Sequence, residues 1–161
     1  MLFRSSITEN NRNFKDIKNM KYDDSKDPLG ILRMIKTSLI SSGNWIVCAM
    51  PGSKSGSRGD KILTILRKSH LPINYELKDV LIRTKDIIPK HKNPGIRNIS
   101  DDLNSLAVKN KVEISGKNVI VFDDITTSGN SLDAARRILT DAGADDVICI
   151  AFGRTVKSEK M

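Results

Sequence analysis

Four short apolar runs punctuate the chain. Trp45–Met50 (WIVCAM), Val119–Phe122 (VIVF) and Val147–Phe152 (VICIAF) have no polar alternation, and Asp79–Arg83 (DVLIR) is a fourth run. A strand without a polar face is one buried on both sides, as in a parallel sheet covered by helices. Leu29–Ile40 carries apolar residues at 29, 31, 32, 35, 39 and 40, which is helical spacing. Asp27–Pro28 reads as an N-cap followed by Pro at the first helical position, and Gly43 suits the stop. A second helix turns Ile62, Leu63, Ile65 and Leu66 inward. Short helices are predicted over Ser100–Val108, with Ser100 as cap, and over Ser131–Ala142, stopped at Gly143. Pro51–Gly59 is a Gly/Ser loop, and Thr84–Ile99 is a long loop with two Pro and several cations. Strands alternating with helices predict an α/β fold: a single domain with a mostly parallel sheet of four or five strands, flanked by helices. The expected organisation is a polar N-terminal arm over 1–26, one domain over 27–156 and a short tail over 157–161.

Composition narrows the class. The 161 residues hold 39% hydrophobic positions, enough for a core and against global disorder. Two Cys make neither a disulfide framework nor a four-Cys zinc site. Cys48 and Cys149 lie in apolar strands and read as small buried hydrophobes. No apolar run reaches membrane-spanning length, and MLFRSSITENNRN has no apolar h-region. A reduced, cytoplasmic setting without membrane is the expectation. Lys and Arg number 27 against 19 acids, a net +8, which favours a polyanionic partner. An aromatic fraction of 4% argues against stacking platforms for single strands.

The chemistry concentrates in Val119–Leu132, VIVFDDITTSGNSL. An apolar strand delivers two carboxylates, Asp123 and Asp124, to its C-terminal end, where open α/β sheets bind ligands. Thr126 to Ser131 then leads into a helix. Such a loop offers hydroxyls, backbone N–H groups and a helix N-terminus to one anion, most naturally a phosphate. Gly129 lets the backbone approach closely. The carboxylates would take hydroxyls, Mg²⁺ or both.

This stretch resembles the phosphoribosyl pyrophosphate (PRPP) motif of the type I phosphoribosyltransferases. The resemblance extends weakly towards the competence-protein ComF branch, through Lys21–Tyr22, Arg58–Gly59, Arg97–Asn98 and Ala142–Gly143–Ala144. It covers about residues 20–156, without the N-terminal Cys zinc module usual in ComF proteins. It implies the Rossmann-like fold of those enzymes and transfer of ribose 5-phosphate from PRPP, with pyrophosphate as leaving group. By resemblance, Asp123 and Asp124 are catalytic and hold the ribose hydroxyls, directly or through Mg²⁺. Thr127 sits at the catalytic position of the loop, and Thr127, Ser128, Gly129, Asn130 and Ser131 bind the 5-phosphate. Pro51, Gly52, Ser53 and Lys54 follow the first strand, where the family places its pyrophosphate loop, and Arg83 joins them. PGSKSG is not a Walker A loop, since no GK[ST] ends it. Lys85, Lys90, His91, Lys92 and Arg97, set against one acid, Asp86, correspond to a mobile flap.

Two departures bear on the acceptor. Enzymes of 6-oxopurines typically have Asp at the Thr127 position, and Lys where Gly153 precedes Arg154–Thr155. Little chain follows to build a nucleobase hood, so a minimal hood is expected and hypoxanthine or guanine is disfavoured. The acceptor stays unidentified, with a nucleobase as one class. The alternatives are a non-catalytic PRPP or nucleotide binder of regulatory type, and a nucleic-acid-associated protein of the ComF kind. Arg4, Arg12, Lys15, Lys18 and Lys21 in the arm keep nucleic acid open. A homodimer is what the family commonly forms. His70 near a helix end, Trp45 at a strand start and Asp145–Asp146 in a turn read as structural.

Overall fold

Alternate residues of the first strand enter two different cores, and this organises the molecule. The computed structural model describes residues 43–69, 71, 73–88, 98–126 and 128–154. The N-terminal arm, the helix expected over 29–40, His70, the segment 89–97, Thr127 and the residues after 154 lie outside the described residues. The strands are β1 (Trp45–Ala49), β2 (Tyr75–Leu77), β3 (Leu81–Arg83), β4 (Leu106–Val108), β5 (Asn118–Thr126) and β6 (Asp146–Arg154). The helices are α1 (Asp60–Lys68), α2 (Ile99–Leu103), α3 (Lys111–Ile114) and α4 (Asn130–Asp141).

Four strands form one sheet in the order β2-β1-β5-β6, with every pairing parallel. Ile46, Cys48 and Met50 join Val119, Val121, Leu132, Ala135 and Leu139 on the face covered by α4. Trp45, Val47 and Ala49 join Ile62, Leu63, Leu66, Ile120 and Phe122 on the face covered by α1. All five residues of β1 are buried. This is the α/β architecture with a mostly parallel, helix-flanked sheet that the unbroken apolar runs imply. Trp45 belongs to the core at 1% exposure, and the Phe122 and Phe152 rings stack at 5.5 Å.

The sheet differs from expectation in its membership. Residues 79–83 yield a shorter strand, β3, which leaves the parallel sheet and pairs antiparallel with β4. The fourth parallel strand is instead β2, a three-residue edge strand beside β1. The helix expected over 100–108 stops early. Asn98 and Asp101 form a reciprocal capping box, and the chain turns at Asn104–Ser105. Ser105 Oγ takes up the Asp101 carbonyl, and Leu106–Val108 enters β4. The cap is therefore Asn98, not Ser100. The one-turn helix α3, begun by Asn110, has no counterpart among the predicted elements.

Strand β5 also runs past Phe122. Asp123 pairs with Ala151, and Thr126 with Arg154. The two carboxylates therefore sit on a stretch of β5 that β6 pairs before and after them, past the last residue paired by β1.

Candidate functional site

The strand order fixes where a ligand site forms. From β1 the chain moves outward to β2, and from β5 it moves outward in the other direction to β6. The reversal lies between β1 and β5, a topological switch point, and crevices at such points open at the carboxyl ends of the strands. Ala49 is level with Phe122, and Met50 N–H donates to the Phe122 carbonyl at 2.7 Å. The loop after β1 thus leaves the sheet beside Asp123 and Asp124.

That first loop, Pro51–Gly59, is a tight turn bound to its neighbours. Ser57 returns its N–H and its hydroxyl to the Lys54 carbonyl, at 3.1 and 2.6 Å. Gly56 N–H donates to the Arg83 carbonyl at 2.8 Å, and Ile87 N–H to the Ser53 carbonyl at 2.9 Å. Ser55 Oγ donates to the Thr84 carbonyl at 3.1 Å. The Asp86 carboxylate accepts from Ser55 N–H at 2.9 Å and from Lys54 Nζ at 2.8 Å. These contacts hold its pKa below the usual carboxylate value, the Lys54 hydrogen bond first and the Ser55 amide second. Gly59 closes the loop in the left-handed region, with φ 73°. A Cβ there would lie 2.6 Å from the Met50 carbonyl oxygen, so the return against β1 requires glycine.

The second loop leads through Ser128 and Gly129 into α4. Asp123 is 5% exposed, and its Oδ1 accepts the Asp124 N–H at 2.9 Å. The Asp124 side chain is exposed, so the two carboxylates face different surroundings. Gly129, with φ 86°, is the N-cap of the twelve-residue helix α4 and provides no side-chain cap. Asn130 N–H donates to Ser128 Oγ at 3.4 Å. A helix start with this composition suits an anion.

Behind both loops lies a buried polar cluster. Arg83 is 2% exposed and Asp102 is fully buried. Arg83 Nη1 donates to Asp102 Oδ1 at 3.1 Å and to Ser105 Oγ at 2.8 Å. Arg83 Nε donates to the Gly52 carbonyl at 3.0 Å. Ser131 Oγ, from the first turn of α4, donates to Asp102 Oδ2 at 3.1 Å.

The residues expected at a pyrophosphate divide accordingly. Pro51, Gly52, Ser53 and Lys54 share the first loop. The Arg83 guanidinium instead sits behind it, directed into the protein. Asp123, Asp124, Ser128, Gly129 and Asn130 gather at the second loop, while the Ser131 hydroxyl points inward to Asp102. Lys85 is exposed on the strand of loop that adjoins Asp86. Thr127, Lys90, His91, Lys92 and Arg97 lie outside the described residues. Arg58 is 3.8 Å from Asp79. Asp86, Asp102 and Ser105 contribute to the site without a local motif that singles them out. Cys48 and Cys149 stay apart from it: burial pushes the Cys48 thiol far up, and pushes Cys149 up to about 11.

Among the described residues no group of three or more His, Cys, Asp or Glu could hold a metal ion. A Mg²⁺ that keeps several waters and takes ligand oxygens needs only one or two carboxylates. Asp124, exposed near the carboxyl end of β5, offers one such carboxylate, while Asp123 is nearly buried with Oδ1 on the Asp124 N–H. Among the described residues no helix is long and apolar enough to cross a membrane.

No family model matches the chain, and no curated protein matches it. Among solved structures, it is similar to a hypoxanthine phosphoribosyltransferase from Staphylococcus aureus, at 10% identity and TM-score 0.47 over 92% of this chain and 68% of that one. A second crystal form of that enzyme gives 13% identity and TM-score 0.41, over 95% and 74%. The allosteric regulatory enzyme of purine biosynthesis gives 20% identity and TM-score 0.43 over 72% of this chain. This chain spans only 23% of that enzyme. At these identities and scores none of the three speaks to what this chain binds.

Proposed function

We propose that this chain is a PRPP-dependent phosphoribosyltransferase that moves ribose 5-phosphate to an acceptor and releases pyrophosphate, assisted by Mg²⁺. The observation that carries the reading is the Met50 N–H bond to the Phe122 carbonyl. It sets one anion-suited loop beside the carboxylate pair and helix start of another. PRPP has an anionic group at each end of one ribose, and the crevice offers a loop to each end. In this reading the Pro51–Lys54 segment takes the pyrophosphate. Thr127, Ser128, Gly129, Asn130 and the backbone of Ser131 take the 5-phosphate. Asp123 and Asp124 lie along the ribose and take its hydroxyls.

Positive charge grows on the ribose ring as pyrophosphate departs, and fixed carboxylates beside the ring favour that charge. Asp124, with Asp123, would hold Mg²⁺, which supplies charge neutralisation of the leaving pyrophosphate. Lys54 reaches the pyrophosphate by exchanging Asp86 for it. Lys85, Lys90, His91, Lys92 and Arg97 form a cationic cover that excludes water from a hydrolysis-prone cation. The Thr at position 127 is a poor proton carrier, which argues against 6-oxopurine acceptors.

Calorimetric titration with PRPP and Mg²⁺ tests this. The native chain is expected to bind. Asp123→Asn combined with Asp124→Asn is expected to weaken binding at least about tenfold, or about 1.4 kcal/mol. Silence from the native chain, or unchanged affinity in the double variant, would refute the proposal.

A second reading is a non-catalytic PRPP or nucleotide binder of regulatory type. Thr127 and Gly153, standing where 6-oxopurine enzymes have a base-serving Asp and a Lys, favour it, because groups that would handle a base are missing. It requires binding without pyrophosphate release against any nucleobase in a panel. One base that turns over defeats it. A nucleic-acid role for the +8 charge would give binding that falls steeply with salt.

A further inference from the structure

A buried ion pair is weak evidence for stability, since apolar residues of similar volume often serve as well. Its geometry is more informative. The Arg83–Asp102 pair touches both loops of the crevice at once. The Arg83 side chain holds Gly52 through Nε, and its main-chain carbonyl holds Gly56 N–H. Asp102 uses one carboxylate oxygen on Arg83 and the other on the Ser131 hydroxyl. Gly52 is 31 residues from Arg83 in sequence, and Ser131 is 29 from Asp102. Two segments far apart in the chain are thus joined through one guanidinium and one carboxylate.

The direction of each bond matters. In a planar trans peptide the C=O and the following N–H point in opposite directions. With the Gly52 carbonyl drawn towards Arg83, the Ser53 N–H faces away from the buried pair. At the other end, the Ser131 hydroxyl anchors the first turn of α4 and fixes how its amides are presented. Both anion-suited surfaces are therefore set by the same two side chains.

We propose that Arg83 and Asp102 are positioning residues that hold the two anion loops in register for one ligand carrying an anionic group at each end. This rests on the PRPP reading above and adds a specific property to it. Either loop alone accepts its half of the ligand, and the pair determines how well one molecule spans both. In such a site the second contact is intramolecular, so its gain depends on geometry. Loosening the register lowers affinity for the spanning ligand by more than the losses for its halves explain.

The test uses the full chain with Mg²⁺ and three probes: PRPP, inorganic pyrophosphate and ribose 5-phosphate. Affinities are measured for the native protein and for Asp102→Asn. The expected result is a fall in PRPP affinity about tenfold larger than the product of the falls for the two halves. A merely structural role would lower all three without that excess. Should Asp102→Asn fail to fold, Ser131→Ala cuts only the hydroxyl link, leaves the Arg83–Asp102 pair in place, and must give the same excess. A PRPP loss no larger than that product overturns this inference and leaves the PRPP reading intact. A native chain that binds none of the three probes overturns both.

Discussion

The two loops at the carboxyl edge are held in different ways. The second loop follows β5 and leads directly into α4, so strand, turn and helix are contiguous. Its geometry comes mostly from its own neighbours: Asp124 N–H to Asp123, Asn130 N–H to Ser128, and Gly129 in the left-handed region. The first loop depends on residues about thirty positions away. Arg83, Thr84, Asp86 and Ile87 all bond to it. A locally built loop is robust to changes elsewhere, whereas a loop held from outside moves with its support. The difference makes the first loop the adjustable half of the crevice, and the Asp102–Ser131 bond is where the adjustment reaches the second.

The sharpest way to break this comparison is to remove the buried acid. Asp102→Ala takes the buried carboxylate away from the Arg83 guanidinium. A loss of about 3–5 kcal/mol is expected in urea unfolding. A change within error would mean that the first loop does not depend on the buried pair.

Two glycines sharpen it further. Gly59→Ala puts a Cβ within 2.6 Å of the Met50 carbonyl oxygen, at φ 73°. Left-handed strain of about 1–2 kcal/mol and overpacking of about 1–3 kcal/mol should add. Gly129→Ala has a similar φ, 86°, but its Cβ meets nothing closer than Thr126 Oγ1 at 4.0 Å. Only the strain of about 1–2 kcal/mol is expected there. Equal losses in thermal unfolding would contradict the view that the first loop is pressed against its strand and the second is open.

The smallest effect is at the surface. The Lys54–Asp86 pair is exposed, so Asp86→Ala should leave the urea midpoint unchanged. The pair still has a pH signature. The folded pKa of Asp86 is lowered, so its contribution is present above the unfolded value of about 3.8 and is lost as pH falls through the lower folded value. The Ser55 amide resonance should titrate with a midpoint below that of an unperturbed carboxylate. A midpoint at the ordinary value would mean that Asp86 does not hold the loop in solution.

The same contrast explains what was legible in the sequence. The parallel sheet was readable because β1, β5 and β6 are unbroken apolar runs, and such runs need two covered faces. The placement of Asp123 and Asp124 near the end of a strand and of Gly129 at a helix start was readable because strand, acids, loop and helix follow one another within a few residues. The antiparallel pairing of β3 with β4 was not. Leu106–Val108 is too short to carry a strand pattern and looked like the continuation of a helix, which the turn at Asn104–Ser105 ends. Arg83 illustrates the limit best. As the last residue of a strand before a basic loop, it read as a cation facing a ligand. Asp102 and Ser105, 19 and 22 residues on, draw it inside instead. No local feature of the sequence announces that pairing, because it exists only once β3 and β4 have come together.

The most direct test of the central claim is an amide chemical-shift map of the full chain titrated with PRPP and Mg²⁺. The account requires saturable shifts at Gly52–Ser55 and at Ser128–Ser131 together, with the same midpoint. Shifts confined to one loop, or confined to the basic N-terminal arm, would contradict it.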